Sequence, residues 1–167
     1  MNIKAVVFDW GDTLMRDFPF PGAMKDWPVI SVIPQAAQVL AELRNSYVLA
    51  VGSNAGDSSS RDIQEALDRA GIGHFLHHVF SSKDIGYEKP HLKFFQFIQE
   101  QLQLQPQEIL MVGNNCLKDI QGAKQAGWRT VWFNENNETT TECGEADATI
   151  FHLSALPHLL INEMDHE

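Results

Sequence analysis

Hydrophobic positions along the chain follow two alternating patterns. The first is a set of short apolar runs, rich in β-branched and aromatic residues and bounded by polar or turn-forming residues. Runs of this kind are typical of strands buried on both faces of a parallel sheet. They occupy residues 3–8, 47–52, 78–81, 109–113, 130–133 and 148–151.

The second pattern is apolar residues at helical spacing, and it fills the intervals between the predicted strands. It covers residues 36–43, 63–70, 92–102, 117–126 and 156–164. Pro34 and Pro90 stand near predicted helix starts, and Gly71 and Gly127 follow predicted helix ends. Regular strand–helix alternation predicts βαβ units with right-handed crossovers. We therefore expect an α/β fold, a doubly wound three-layer sandwich around a mostly parallel central sheet.

Two segments do not follow this alternation. Residues 14–34, which we call the flap, combine prolines with Phe18, Phe20 and Trp27 and predict an ordered excursion after the first strand. We favour packing over the sheet edge for these aromatic side chains, with a lid over a site as the alternative. Residues 134–147 are polar and acidic and predict a surface loop. A length of 167 residues favours a single domain covering 1–167.

The composition of the chain excludes some classes of binding partner and indicates where the protein is located. A formal net charge of -10, with no cluster of lysines and arginines, disfavours nucleic acid. The apolar runs are far shorter than the roughly 20 residues that cross a bilayer, and the N-terminus resembles no signal peptide. We expect a cytoplasmic protein that does not bind membranes. Cys116 and Cys143 form no CxxC pair, and we interpret both as free thiols in a reducing compartment.

Polar residues with chemical potential follow several of the predicted strands. Asp9 comes after the first, Ser53 and Asn54 after the second, and Asn114 and Asp119 after the fourth, while Lys89 precedes a predicted helix. Ligands of open parallel sheets bind beyond the carboxyl ends of the strands. An aspartate, a hydroxyl, a lysine and further oxygen donors should therefore meet at one edge.

Four motifs in this order, VVFDWGDTL, VGSN, EKP and VGNNCLKDIQGAKQAG, resemble the signature motifs of the haloacid dehalogenase superfamily. The resemblance covers nearly the whole chain, because AGWRTVWFN and ADATIFHLSALPHLL are similar to the closing elements of many subfamily I members. It implies a Rossmann-like core. The intervals between motifs leave little room for a cap domain, so the chain resembles a capless or minimally capped member.

The resemblance implies a magnesium-dependent phosphohydrolase that cleaves a small phosphate monoester through an aspartyl-phosphate intermediate. Asp9 would be the nucleophile and Lys89 a catalytic point charge. The implied phosphate-binding residues are Thr13, Ser53, Asn54 and Lys89. The implied Mg²⁺ ligands are Asp9, the backbone carbonyl of Gly11, Asn114 and Asp119.

The chain also departs from the family pattern at two positions. Gly11 stands where phosphatases of the family usually carry a second aspartate that serves as general acid and base, and Asp12 lies one residue further on. Asn114 replaces an acid at a usual metal-ligand position. Two alternatives stay open, a member that binds a phosphorylated ligand without turnover and a metal-independent 2-haloacid dehalogenase. A homo-oligomer is possible, and the motifs do not specify the substrate.

Overall fold

The computed structural model of the chain describes residues 2–164 and contains one six-stranded, fully parallel sheet. The strand order is β3-β2-β1-β4-β5-β6. The strands are β1 (Ala5–Phe8), β2 (Val48–Ser53), β3 (His78–Ser81), β4 (Ile109–Gly113), β5 (Arg129–Phe133) and β6 (Ala148–Ile150). The helices are α1 (Ala36–Leu43), α2 (Ser60–Arg69), α3 (Ser82–Ile85), α4 (Leu92–Leu102), α5 (Gly122–Gln125) and α6 (Leu156–Leu159). The predicted doubly wound α/β fold is confirmed.

Helices cover both faces of the sheet because successive strand residues point to opposite sides. Val6 and Phe8 of β1 belong to one apolar cluster, together with side chains of α1, α2 and α6. Val7 belongs to a second cluster on the other face, formed with α4, α5 and Trp128. All four residues of β1 are buried. Burial on both faces explains why the predicted strands are continuous apolar runs rather than alternating ones.

Element ends differ from the predictions by a few residues. The helix predicted over 63–70 begins earlier, at Ser60, because Ser59 and Asp62 form a reciprocal capping box. The helix predicted over 117–126 consists of a wide π-type segment, Cys116–Gln121, that continues into α5. Hydrophobic spacing locates a helix but does not distinguish these hydrogen-bond patterns. The predicted domain, 1–167, includes Met1 and residues 165–167, which lie outside the described residues.

The flap packs onto the fold with its apolar side chains. Leu14, Met15 and Ile33 are almost fully buried in the cluster that also contains α1 and α2. Polar contacts fasten the middle of the flap to α2, since Lys25 Nζ lies 2.8 Å from Asp62 Oδ1 and Arg69 donates to the Trp27 carbonyl at 2.6 Å. The flap is therefore an ordered part of the fold, held by burial of its apolar side chains and by polar contacts with α2.

The interpretation of the cysteines as free thiols is wrong. Cys116 and Cys143 form a disulfide, with their Cα atoms 5.8 Å apart. They are 27 residues apart in sequence, and the bond joins the start of the π-type segment to the long loop before β6. A pairing between residues of two separate segments depends on the tertiary path of the chain, which the spacing of the cysteines does not reveal. The prediction of a reducing compartment rested on free thiols and therefore loses its support.

The loop over 134–147 lies at the surface, as predicted, but two of its residues are buried. Cys143 is buried, and Asn134, only 5% exposed, exchanges hydrogen bonds with the backbone of Thr139. No helix in the described part of the chain is long and apolar enough to cross a membrane.

Asp147 anchors the start of β6 and makes stability depend on pH. Its carboxylate accepts bonds from Lys124 Nζ at 2.7 Å and from the Thr130 backbone N–H at 2.8 Å. Burial alone would raise the pKa of Asp147, but these two bonds, with the positive charges of Lys124 and Arg129, lower it below its ordinary value. A carboxyl whose pKa is lower in the folded state stabilises that state above its unfolded pKa of about 4.

We predict that Asp147→Asn lowers the free energy of unfolding by about 1–2 kcal/mol at pH 7, because a charge-assisted hydrogen bond is lost. The difference from the unsubstituted protein should shrink as the pH falls below about 4, where Asp147 itself becomes protonated. Urea unfolding at pH 7 and at acidic pH measures both values. A difference that stays constant down to pH 3 would contradict this account.

Candidate active site

A cavity of about 340 Å³ opens beyond the carboxyl ends of the strands. The strand order reverses direction between the adjacent strands β1 and β4. The chain continues from β1 to β2 and β3 on one side of this point, and from β4 to β5 and β6 on the other. Such a switch point leaves a crevice between the two outgoing loops. Asp9 follows β1 and Asn114 follows β4, and both line the cavity.

Lys89 is the centre of the polar cluster in this cavity. Its ammonium group is buried, with 2% of the side chain exposed, and donates three hydrogen bonds. The acceptors are Asp9 Oδ1 at 2.8 Å, Asp119 Oδ1 at 2.7 Å and the Gly52 carbonyl at 2.8 Å. The structure thus brings together Asp9, Lys89 and Asp119 from three separate motifs, as the sequence predicts.

Burial and the two carboxylates shift the pKa values of this cluster. Burial alone would lower the pKa of Lys89, but the charges of Asp119 and Asp9 outweigh it and raise that pKa above its ordinary value. Burial raises the pKa of Asp119 to about 6, reinforced by the charge of Asp9 and only partly offset by Lys89. The lysine is consequently a permanent cation at neutral pH.

Backbone contacts hold the cluster in place. Asn54 accepts from the Lys89 N–H and donates to the Lys89 carbonyl, both at 2.8 Å, so its amide clamps the lysine backbone. The Asn115 N–H donates to Asp119 Oδ2 at 3.0 Å. Residue 113 must be glycine, because a Cβ atom there would overlap the Asp119 carboxylate.

Thr13 and Ser53, both predicted to bind phosphate, occupy different positions. Thr13 is fully buried behind the cavity, and its hydroxyl donates to Asp9 Oδ2 at 3.4 Å and reaches Asn114 Oδ1 at 3.5 Å. Ser53 lines the cavity, and its Oγ accepts the Ala55 N–H at 3.2 Å, which leaves its own proton available for a ligand. Thr13 therefore orients Asp9, whereas Ser53 can contact an anion.

The residues that line the cavity fit Mg²⁺ in donor chemistry. Asp9, Gly11 and Asn114 present a carboxylate, a carbonyl and an amide oxygen, and hard oxygen donors with retained waters suit this ion. Both oxygens of Asp119 are already engaged, one by Lys89 and one by Asn115. Within residues 2–164 no cluster of three or more histidines, cysteines or acids could hold a metal by itself. The backbone and amide oxygens would therefore have to complete the coordination.

Several residues that line the cavity were not predicted from the sequence. Asp17 comes from the flap, Asn115 directly precedes the π-type segment and Lys118 lies in it, while Trp27, considered above only as part of a possible lid, also lines the cavity. Loss of hydration, together with the charges of Asp12 and Asp9, raises the pKa of Asp17. Asn115 and Lys118 lie inside the fourth motif and could have been found there. Asp17 carries no local signal, because its position depends on the turn of the flap.

Comparison with known proteins identifies the family of the chain. The family described as haloacid dehalogenase-like hydrolase matches residues 20–133, more than half of the chain. The chain therefore belongs to the haloacid dehalogenase-like hydrolases, and the predicted superfamily is confirmed. A solved structure of an uncharacterized protein from Listeria monocytogenes serotype 4b shares the fold, with a TM-score of 0.83, 22% identity and coverage of 95% of this chain and 97% of that one.

Two curated relatives carry different names. The (S)-2-haloacid dehalogenase 2 of Pseudomonas sp. (strain CBS-3) is 31% identical over 75% of this chain and 54% of its own length. The glyceraldehyde 3-phosphate phosphatase of Pyrococcus furiosus is 32% identical over 58% of this chain and 40% of its own length. The chain thus spans about half, or less, of the length of these curated relatives.

We predict that Lys89→Met lowers the free energy of unfolding by about 3–5 kcal/mol at neutral pH, because it leaves buried carboxylates without their cation. Lys118→Met is the matched control, since Lys118 lines the same cavity but is exposed. The control should change stability by no more than about 0.5 kcal/mol. Urea unfolding of the two variants tests this, and equal losses would show that Lys89 does not hold the cluster together.

Proposed function

We propose that the chain is a magnesium-dependent phosphohydrolase that cleaves a phosphate monoester through an aspartyl-phosphate intermediate on Asp9. The observation that carries this proposal is the position of Asp9 at the cavity, hydrogen-bonded through Oδ1 to the buried Lys89. A carboxylate so placed can attack phosphorus in line with the departing oxygen. The phosphatase name of one relative supports the same reaction class.

The side chains have separate tasks in this reaction. Lys89 occupies Asp9 Oδ1, which leaves Oδ2, oriented by the Thr13 hydroxyl, as the attacking oxygen. Ser53 would donate to a phosphoryl oxygen, and the charge of Lys89 stabilises the negative charge that shifts during transfer. The bond from phosphorus to the alcohol oxygen breaks as the bond to Asp9 forms. Water then hydrolyses the acyl phosphate, releases inorganic phosphate and restores Asp9.

Charge explains why a divalent cation belongs in this proposal. The cavity is lined by five carboxylates and two lysines, a formal charge of −3. A phosphate monoester dianion entering such a site is repelled unless a cation compensates both partners. Mg²⁺, when bound, would supply this compensation and polarise the phosphoryl group. Asp9, the Gly11 carbonyl, Asn114 and Asp119 would hold it, directly or through water.

The second candidate function is metal-independent hydrolysis of a 2-haloacid, in which Asp9 attacks carbon. The dehalogenase name of one relative favours it, as do Gly11 and Asn114. Against it stands the state of Arg16, the arginine nearest the first motif in sequence. Arg16 forms a two-pronged ion pair with Glu135, at 2.7 and 3.0 Å, and is not among the residues that line the cavity. An arginine held in this way is not positioned to receive a halide or a substrate carboxylate.

A screen of phosphate monoesters with and without Mg²⁺ tests the proposal. We predict that EDTA removes the release of inorganic phosphate and that millimolar Mg²⁺ restores it. Asp9→Asn should lower kcat by more than about 10³-fold, as expected when a nucleophile is lost. Asp26→Asn, which changes an exposed flap carboxylate outside the cavity, is the matched control and should retain activity.

The alternatives give different outcomes in the same assays. Activity that persists in EDTA would remove magnesium from the proposal. Halide release from 2-chloropropionate without phosphatase activity would establish the dehalogenase. Binding of phosphate esters with no turnover under any condition would identify a non-catalytic member. The predicted cytoplasmic location and the possibility of a homo-oligomer stay predictions.

A further inference from the structure

Gly11 lies directly beside another acidic residue of the cavity wall, Asp17. A side chain at position 11 would begin with a Cβ atom 3.2 Å from Asp17 Cβ, 3.3 Å from Asp17 Oδ2 and 3.4 Å from Asp17 Cγ. The Asp17 side chain therefore lies beside the position that the Cβ atom of an aspartate at residue 11 would take. Gly11 and Asp17 both line the cavity that contains Asp9.

The fold holds Asp17 in this position through a tight turn. The Trp10 carbonyl accepts the N–H groups of Thr13, Leu14 and Met15 at 3.0–3.3 Å, which folds the chain back on itself directly after Asp9. The Asp17 N–H then donates to Asp12 Oδ1 at 3.1 Å. Because Leu14 and Met15 are fully buried, the turn cannot shift without opening the core.

The other acid near Gly11 is less suited to contact a ligand. Asp12 Oδ1 accepts the Asp17 N–H and lies 3.6 Å from Arg16 Nη1, which is itself held by Glu135. The backbone of Asp12 is in the left-handed region, with φ of 55°. These contacts engage Asp12 Oδ1 in the turn, although Asp12 also lines the cavity. Among the contacts described for residues 2–164, only the backbone N–H of Asp17, and not its carboxyl group, is bonded within this turn.

We propose that Asp17 is the acid–base catalyst of the phosphatase reaction, replacing the aspartate that position 11 lacks. This inference rests on the proposed function. As an oxygen of Asp9 attacks phosphorus and the bond to the leaving oxygen breaks, the carboxylic acid of Asp17 gives its proton to that oxygen, and the alcohol departs. In the second step, water attacks the phosphorus of the acyl phosphate and passes its proton to the Asp17 carboxylate. The Asp9–phosphorus bond breaks, inorganic phosphate leaves, and Asp17 is again protonated.

A comparison of leaving groups tests the assignment. Phenol is a poor leaving group with a pKa of about 10, similar to the tyrosine side chain, and needs a proton as it departs, whereas 4-nitrophenolate needs little help. Asp17→Asn should lower kcat/KM for phenyl phosphate by about 10²–10³-fold and for 4-nitrophenyl phosphate by less than about 10-fold. Asp57→Asn, which removes another exposed carboxylate from the same cavity, is the charge-matched control and should affect both substrates equally.

An exchange of the two residues separates a chemical role from a structural one. Asp17→Gly should show the same selective loss, and Gly11→Asp/Asp17→Gly, which keeps the composition and net charge, should recover at least about 10-fold on phenyl phosphate. Circular dichroism and urea unfolding identify any variant that fails to fold, and Asp17→Asn then decides.

Each outcome points to one conclusion. If Asp17→Asn slows both substrates equally or slows neither, Asp17 is not the acid–base catalyst, although the phosphatase proposal stands. A folded exchange variant without any recovery also counts against the assignment. If the unsubstituted protein with Mg²⁺ hydrolyses neither ester while Asp9 is intact, the proposed function itself is wrong.

Discussion

The organisation of the site depends on one buried cation. The Lys89 ammonium, with 2% of its side chain exposed, joins Asp9 and Asp119, which would otherwise repel each other in a poorly hydrated space. Its third bond goes to the Gly52 carbonyl at the end of β2. One side chain thereby connects the end of β1, the end of β2 and the π-type segment that follows β4. A buried charge without a partner has a large free-energy cost, so loss of one member of the cluster strongly destabilises the folded state.

Small residues and amides make this cluster possible. Gly113 leaves room for the Asp119 carboxylate, and the Asn54 amide clamps the backbone on both sides of the Lys89 Cα. The disulfide between Cys116 and Cys143 then ties the loop that carries Asn114 and Asn115 to the segment before β6. The reactive groups are held by contacts that leave them little freedom, which is what preorganisation for charge transfer requires.

The flap connects folding to chemistry. Its apolar residues fill the core on one face of the sheet, and the same segment contributes Asp17, Met24 and Trp27 to the cavity wall. Burial of Leu14 and Met15 in the core therefore fixes the position of Asp17 at the cavity. This arrangement accounts for an acid beside Gly11 that the first motif does not itself contain, and it lets a short chain build a site wall without a large inserted domain between β1 and β2.

The sequence by itself determined the architecture and the central residues of the site. Apolar runs and helical spacing predicted the six strands of the described residues and the main helices, because strands buried on both faces are continuous apolar runs and helices with one buried face repeat their apolar residues at a regular spacing. Motif order placed Asp9, Lys89 and Asp119 together, since parallel strands end at one edge. Only the tertiary structure decided the Cys116–Cys143 pairing, the buried position of Thr13 and the placement of Asp17 against Gly11. Those features depend on where loops meet in space, and loop paths follow from packing between distant segments that no local pattern encodes.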